Sequence, residues 1–304
     1  MKFLYNVVLV LFFSSLLTTS CSNRDSDKIE KMLSEKKYFE VINILENKGK
    51  KTGKDYFNLA EAYKDLRKLS VADSLYSLAL ETDPSLKGKI LKSYSNIAMT
   101  DFMKGYTANS VKYWLKIIEL SPTYDINIGF YHLGKYFYDG GDFQKAKLML
   151  NNSLNISLTS SEKVNVYKML IEIYKTEEKF DTALIIAKKA SDEFSVEGTS
   201  GDVDFKVIAG ELKFYIAKEK YEKKNYDDAL NLFLDFINKP VPLSLLDDAH
   251  LYVGNIYFEL NDFEKAIFHY NKVKEYSDVK VYGSSDNLDE ANEKLKEILR
   301  RNMK

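Results

Sequence analysis

One small side chain recurs along this sequence at nearly constant intervals, and it limits the fold more than any other feature. Ala72, Ser110, Ala146, Ala183, Ala229 and Ala266 follow one another in steps of 38, 36, 37, 46 and 37 residues. Four residues after each stands a larger or apolar side chain: Tyr76, Trp114, Leu150, Ala187, Phe233 and Tyr270. A spacing of three or four residues keeps side chains on one face of an α-helix. A period in the thirties then describes helical hairpins that bury their apolar faces only against stacked neighbours. The small residue marks where the two helices of a hairpin cross, because a short side chain lets the backbones approach.

Each marker is preceded by a second group of apolar residues in the same register. The last unit reads His250, Val253, Gly254, Tyr257, Ala266 and Tyr270, and the earliest full one Tyr56, Leu59, Ala60, Tyr63, Ala72, Tyr76 and Pro84. Between them come Tyr94, Ile97, Ala98, Ser110, Trp114 and Pro122; Phe130, Leu133, Gly134, Phe137, Ala146 and Leu150; and Tyr167, Leu170, Ile171, Tyr174, Ala183 and Ala187. A fifth unit has Lys213, Ile216, Ala217, Ala229 and Phe233, with Lys220 at an aromatic position. The pattern resembles that of the tetratricopeptide repeat family, W-x2-L-G-x2-Y…A-x3-F…P. The resemblance covers about residues 28–280, with KIEKMLSEKKYFEVINIL as a degenerate leading unit. It implies an all-α fold, a right-handed α-solenoid of about six to seven helical hairpins. Residues 281–304 are expected to form a loop, over residues 282–287, and a charged, amphipathic capping helix over the open end. The wider step of 46 contains SVEGTSGDVD, residues 195–204, expected as a surface loop and a possible hinge between two lobes.

The N-terminus carries a different signal. Lys2 precedes an apolar run over residues 3–17, followed by Thr18, Thr19, Ser20 and Cys21. A run this short, with a basic residue before it and small residues after, reads as a secretory signal over residues 1–20. Cys21 is the only cysteine in 304 residues. Its placement resembles the lipid-modified residue of bacterial lipoproteins, although Thr18 stands where that motif has leucine. Residues 21–27 then read as a polar tether from the lipid, and Ser22 implies the outer membrane, facing the periplasm, by resemblance to enterobacterial sorting.

Charge and composition exclude several classes. The formal net charge of −1 provides no general field for a phosphate backbone, so nucleic acid is not an expected partner. Four prolines leave room for long helices, and a single cysteine excludes internal disulfides and thiolate metal sites. Three histidines, His132, His250 and His269, form no catalytic or metal constellation with neighbours in sequence, and His250 sits at a motif core position. GKKTGKD, residues 49–55, lacks the glycine spacing of a phosphate loop and reads as a basic turn between hairpins. No enzyme activity, cofactor or metal is expected.

In tetratricopeptide repeats the first helices line a concave groove. That geometry, projected onto this chain, implies a partner-binding surface of Phe57, Asn58, Phe102, Tyr131, Tyr138, Phe214, Tyr215, Tyr221, Tyr252 and Phe258. Aromatic side chains give large contact area at low entropic cost, which suits capture of a peptide segment. Asn58 and Asn96 echo the clamp by which some members hold a terminal carboxylate, but Phe57 and Ser95 replace its lysines, so that clamp is not expected. The expected function is a non-catalytic, lipid-anchored adaptor for another cell-envelope protein. Two alternatives stand beside it: a component of the outer-membrane β-barrel assembly machinery, and a nutrient- or glycan-binding helical lipoprotein of an uptake system.

Overall fold

The computed structural model describes residues 27–194, 200–278 and 285–302. The expected signal peptide, Cys21 and the tether up to residue 26 lie outside the described residues, whereas residue 27 is already helical. Among the described residues the ordered elements are helices, and no strand occurs. The first helices of the hairpins are α1 (residues 27–34), α3 (Gly53–Asp65), α5 (Lys87–Met103), α7 (Gly129–Asp139), α9 (Ser160–Thr176), α11 (Ser200–Glu222) and α13 (Leu246–Glu259). Their partners are α2 (Tyr38–Glu46), α4 (Leu69–Thr82), α6 (Thr107–Leu120), α8 (Phe143–Ser153), α10 (Phe180–Glu193), α12 (Tyr226–Asn238) and α14 (Phe263–Asp278), and α15 (Ser285–Asn302) closes the series. Among the described residues the array is an all-α solenoid of seven hairpins, and the chain splits into two compact units between Gly129 and Phe130.

The register deduced from spacing is the register of burial. Ala72, Ser110, Ala146, Ala183, Ala229 and Ala266 are all fully buried, as are their successors Tyr76, Trp114, Leu150, Ala187, Phe233 and Tyr270. At the crossings the fit leaves no room. A Cβ on Gly134 would lie 2.7 Å from Leu150 Cδ2, and one on Gly254 2.7 Å from Tyr270 Cε1.

Every hairpin turns through one residue in the left-handed region, two positions before its second helix. The residues are Lys36, Arg67, Gly105, Gly141, Glu178, Lys224 and Asn261, with φ from 56° to 80°. In each turn the following N–H donates to the carbonyl five residues back, as Lys68 N does to Tyr63 O at 2.9 Å and Asn225 N to Lys220 O at 2.9 Å. This closure satisfies carbonyls that a helix end leaves unpaired. Glycine adopts such a φ without strain; the other five turns hold an L residue there, which glycine would relieve.

Polar ties then join consecutive hairpins within each unit. In the first, Glu61 of α3 accepts hydrogen bonds from Tyr76 of α4, from Lys64 Nζ at 2.6 Å and from Ser93 Oγ of α5 at 2.6 Å. Burial, reinforced by the Glu61 charge, pushes the Tyr76 phenol far above its usual range, so it stays a donor. Asp101, with no exposed surface, accepts from Arg67 Nη2 at 2.6 Å and from Asn109. In the second unit Tyr270 donates to Asn255 at 2.7 Å, and Asn255 donates to Glu290 of α15 at 2.8 Å. Helix α15 thus meets the last hairpin much as α5 meets α3 and α4, and its Lys294 and Arg301 cover the Phe258 ring at 4.3 and 4.7 Å. This is the expected capping helix. The turn expected over residues 49–55 is shorter: Thr52 caps α3, residues 53–55 are its first turn, and Asp55 accepts from both Thr52 N and Lys48 Nζ at 2.7 Å.

Two expectations are corrected. Residues 200–204 belong to α11, so the loop of residues 195–204 is shorter, and residues 195–199 lie outside the described residues. Nor do the two compact units part there. Phe205 is fully buried, stacked on Phe194 at 6.0 Å and edge-on to Tyr167 at 6.1 Å, so α11 shares one core with α9 and α10. Likewise α15 begins at Ser285, inside the loop expected over residues 282–287.

Two predictions follow from these contacts. Gly141 has open space around it at φ +76°, so Gly141→Val introduces backbone strain without a clash and is expected to destabilise by about 1–2 kcal/mol. Lys224→Gly is expected to be neutral or stabilising, and thermal denaturation of both variants checks the pair. The second concerns His250 and His269, which are buried with their Nδ1 atoms 2.9 Å apart. Burial lowers both pKa values to about 4, for His250 with help from the neighbouring imidazole and Lys272 and against Glu275. The unfolded imidazoles, near 6.5, take up protons before the folded ones do. The stabilisation is therefore present above pH 6.5 and is lost as pH falls toward 4. A melting temperature that falls by several degrees over that window, with a flatter profile for His269→Gln, is the expected result.

Candidate functional site

One concavity lined by described residues lies within the second unit. Helix α9 supplies most of it. Its start is set by a capping box: Thr159 Oγ1 accepts from Glu162 N at 3.2 Å, and Glu162 accepts from Thr159 N at 2.8 Å. From that fixed start, Val166, Tyr167, Leu170 and Ile173 turn into the core. Asn165, Lys168, Glu172 and Lys175, spaced by three, four and three residues, form a second stripe. That stripe borders a cavity of about 560 Å³, with Met169 and Ile171 of α9 and Ile208 of α11 as apolar lining and Tyr131, Lys135 and Tyr138 of α7 on the remaining side.

The cations of this groove are loosely held. Lys135 pairs with Asp139 at 3.0 Å, Lys168 with Asp204 at 2.9 Å and Lys175 with Glu172 at 3.3 Å, and the members of these pairs are 30–55% exposed. Lys147 differs: its pair with Glu177 is only 13–18% exposed and sits over the Tyr174 ring at 5.2 Å. The first three can exchange partners at little cost, since exposed ion pairs contribute about 0–1 kcal/mol. Burial, then the charges of Glu172 and Asp139, raise the Tyr138 pKa against the opposing Lys135, so its hydroxyl remains protonated and able to donate.

Of the ten groove residues expected from sequence, Tyr138 borders this cavity half-buried, and Tyr131 borders it with only 8% of its surface exposed. Three belong to the core instead. Asn58 is 4% exposed, Phe214 meets Phe233, Phe236 and Tyr252 edge-on, and Phe258 is sealed under α15. These residues fill the space between successive helices, where an aromatic ring displaces the most water. Tyr252 lies flat on Phe233 at 5.1 Å, and Tyr221 packs edge-on against Tyr252 at 5.1 Å. Tyr215, 37% exposed, stacks on Phe180 at 5.7 Å. In the first unit Phe57 leans on Tyr76 and Phe102 on Trp114. The lysines of the groove carry no aromatic signal in the sequence. Lys135 and Glu172, each directly after the small or apolar residue of its motif, were the available signal.

Stacked helical hairpins carrying an open, side-chain-lined groove define a repeat scaffold, whose solenoid presents an extended surface for binding. The model of the tetratricopeptide repeat matches residues 56–86 and 248–278, the second and the last of these hairpins. Tetratricopeptide repeats are scaffolds for protein–protein interaction. Among solved structures, the C-terminal part of a TPR repeat-containing protein from Cytophaga hutchinsonii is similar at 16% identity, over 81% of this chain and 93% of that one, with a TM-score of 0.34. Yeast Tom70 is similar at 15% identity, over 87% and 59% of the two chains, with a TM-score of 0.34. BtubC from P. vanneervenii is similar at 15% identity, over 86% and 94%, with a TM-score of 0.25. No curated protein matches the chain. Among the described residues no group of three or more His, Cys, Asp or Glu side chains is placed to hold a metal ion, and no helix is long and apolar enough to cross a membrane.

Neighbouring aromatics of one helix are expected to respond differently to truncation. Phe214→Ala removes a buried ring and should destabilise by about 3–5 kcal/mol, whereas Tyr215→Ala should cost about 1 kcal/mol or less. Thermal and denaturant unfolding of the two variants measures the difference.

Proposed function

We propose that this protein is a lipid-anchored tetratricopeptide scaffold of the cell envelope, holding a segment of another envelope protein in the groove between α7, α9 and α11. The observation that carries the reading is that groove: a cavity of about 560 Å³ with two tyrosines and an apolar floor, the size and lining that suit side chains of a bound segment. The anchor is read from Cys21, the only cysteine, directly behind a short apolar run with a basic residue in front. Acylation there would hold the repeats at the outer-membrane surface facing the periplasm, with the residues up to 26 as the tether.

Metabolic labelling with a fatty acid, combined with membrane fractionation, tests the anchor. The wild-type chain is expected to take up label and sediment with membranes. Cys21→Ser is expected to lose the label and to appear in the soluble fraction or as an uncleaved precursor. An unlabelled wild-type chain overturns the lipoprotein reading. A photo-crosslinking residue in place of Tyr138 tests the groove: it should trap an envelope protein that the same residue in place of Ile185, which is exposed on α10, does not.

A further inference from the structure

The two most exposed large apolar side chains among the described residues are Phe39, at 74%, and Met103, at 75%. Both stand at hairpin turns of the first unit: Phe39 follows the turn between α1 and α2, and Met103 ends α5. Val71, at the start of α4, and Tyr106, in the turn after α5, are exposed as well. These turns adjoin one another. The Tyr38 hydroxyl reaches the Asp65 carboxylate of the second turn, and Arg67 Nη2 of the second turn donates to Asp101, near the end of α5, at 2.6 Å. Single exposed apolar residues are ordinary on a protein surface, whereas four along one continuous edge mark a contact surface. Charge flanks the row. Lys36 and Lys104 are exposed and form no ion pair among the described residues, while Lys37 holds Glu35 at 2.8 Å and Lys64 holds Asp65 at 3.4 Å.

The chain ahead of α1 limits what lies nearest this edge. Six residues separate Cys21 from residue 27, a span of at most roughly 20 Å, and α1 carries the chain about 12 Å further to the first turn. A lipid on Cys21 therefore holds the bilayer at high effective concentration beside Phe39. Apolar side chains with lysines beside them suit that surface, because the rings and the thioether enter the acyl boundary while the ammonium groups reach lipid phosphates. We propose that the edge formed by Phe39, Val71, Met103 and Tyr106 rests in the headgroup region of the phospholipid bilayer that carries the anchor. The nearness of the bilayer rests on the reading of Cys21 as the lipidation site; the surface itself stands on the described residues.

The test uses the chain from residue 21, which keeps every described residue, coupled through its only cysteine, Cys21, to a maleimide lipid in phosphatidylcholine vesicles. This coupling supplies the tether whether or not the cell acylates Cys21. Reporter tryptophans are introduced singly by Phe39→Trp, Met103→Trp and Leu78→Trp, the last on α4 more than two helical turns from the edge. Trp114 is fully buried and contributes a constant background. Lipids brominated near the headgroup are expected to quench the reporters at 39 and 103 by about half or more and to leave that at 78 unchanged. Met103→Ser with Tyr106→Ser is expected to reduce quenching at 39 at least about twofold, with an unchanged circular dichroism spectrum. Equal quenching at all three positions, or none at any, overturns the proposal. So does light scattering that finds a dimer of the uncoupled chain which Phe39→Ser with Met103→Ser dissociates, since the edge is then an interface between two copies. Quenching confined to 39 and 103, with no fatty-acid label on the wild-type chain in cells, overturns the anchor and supports the edge as a lipid-binding surface.

Discussion

The close crossing of two helices at one small side chain is the contact on which the remaining structure depends. At Gly134 and Gly254 even a single added carbon would fall 2.7 Å from the side chain opposite, and at the alanine markers no surface remains exposed. Backbones held this near leave only the volume that the residue four positions later can occupy. Tyr76, Trp114, Leu150, Phe233 and Tyr270 fill it, at the packing density expected of a protein interior. The repeat therefore conserves a volume more than a residue type. Alanine replaces the aromatic at position 187, where Phe205 from the next hairpin joins the same core.

Given the crossing, the turn geometry has little freedom. A second helix that must return along the first within a few residues reverses through a left-handed residue, and all seven turns do so. Only Gly105 and Gly141 adopt that conformation without penalty. The other five accept a small strain because the tertiary contacts around them are worth more. Polar side chains then fix the stacking of neighbours: Glu61 joins three helices of the first unit, and Asn255 does the same between the last hairpin and α15. These ties add direction to an interface whose apolar part is non-directional.

The groove is the complement of that packing. Helix α9 commits Val166, Tyr167, Met169, Leu170, Ile171 and Ile173 to the core, so Asn165, Lys168, Glu172 and Lys175 on the remaining stripe face outward by helical geometry alone. Because those positions carry no packing demand, their chemistry is free to serve recognition. They hold lysines and a glutamate in pairs too exposed to contribute much to stability. The aromatic residues with the strongest sequence signal for binding, Phe214 and Phe258, were drawn into the interior for the same reason they stood out, their large apolar area.

Sequence alone determined the array: the spacing of the small residues established the hairpins, their register, the degenerate first unit and the capping helix. A helical period is a property of the chain itself, and each hairpin contacts mainly its neighbours. Tertiary structure decided what no local period encodes. Phe205 buries itself against Tyr167 and Phe194, which extends α11 into the expected loop and joins the helices on either side of it. Which aromatics remain accessible depends on the helix packed above each one, as α15 covers Phe258 while Tyr138 stays half-buried at the edge of a cavity. That cavity likewise arises only where side chains of α7, α9 and α11, distant in sequence, line the same space.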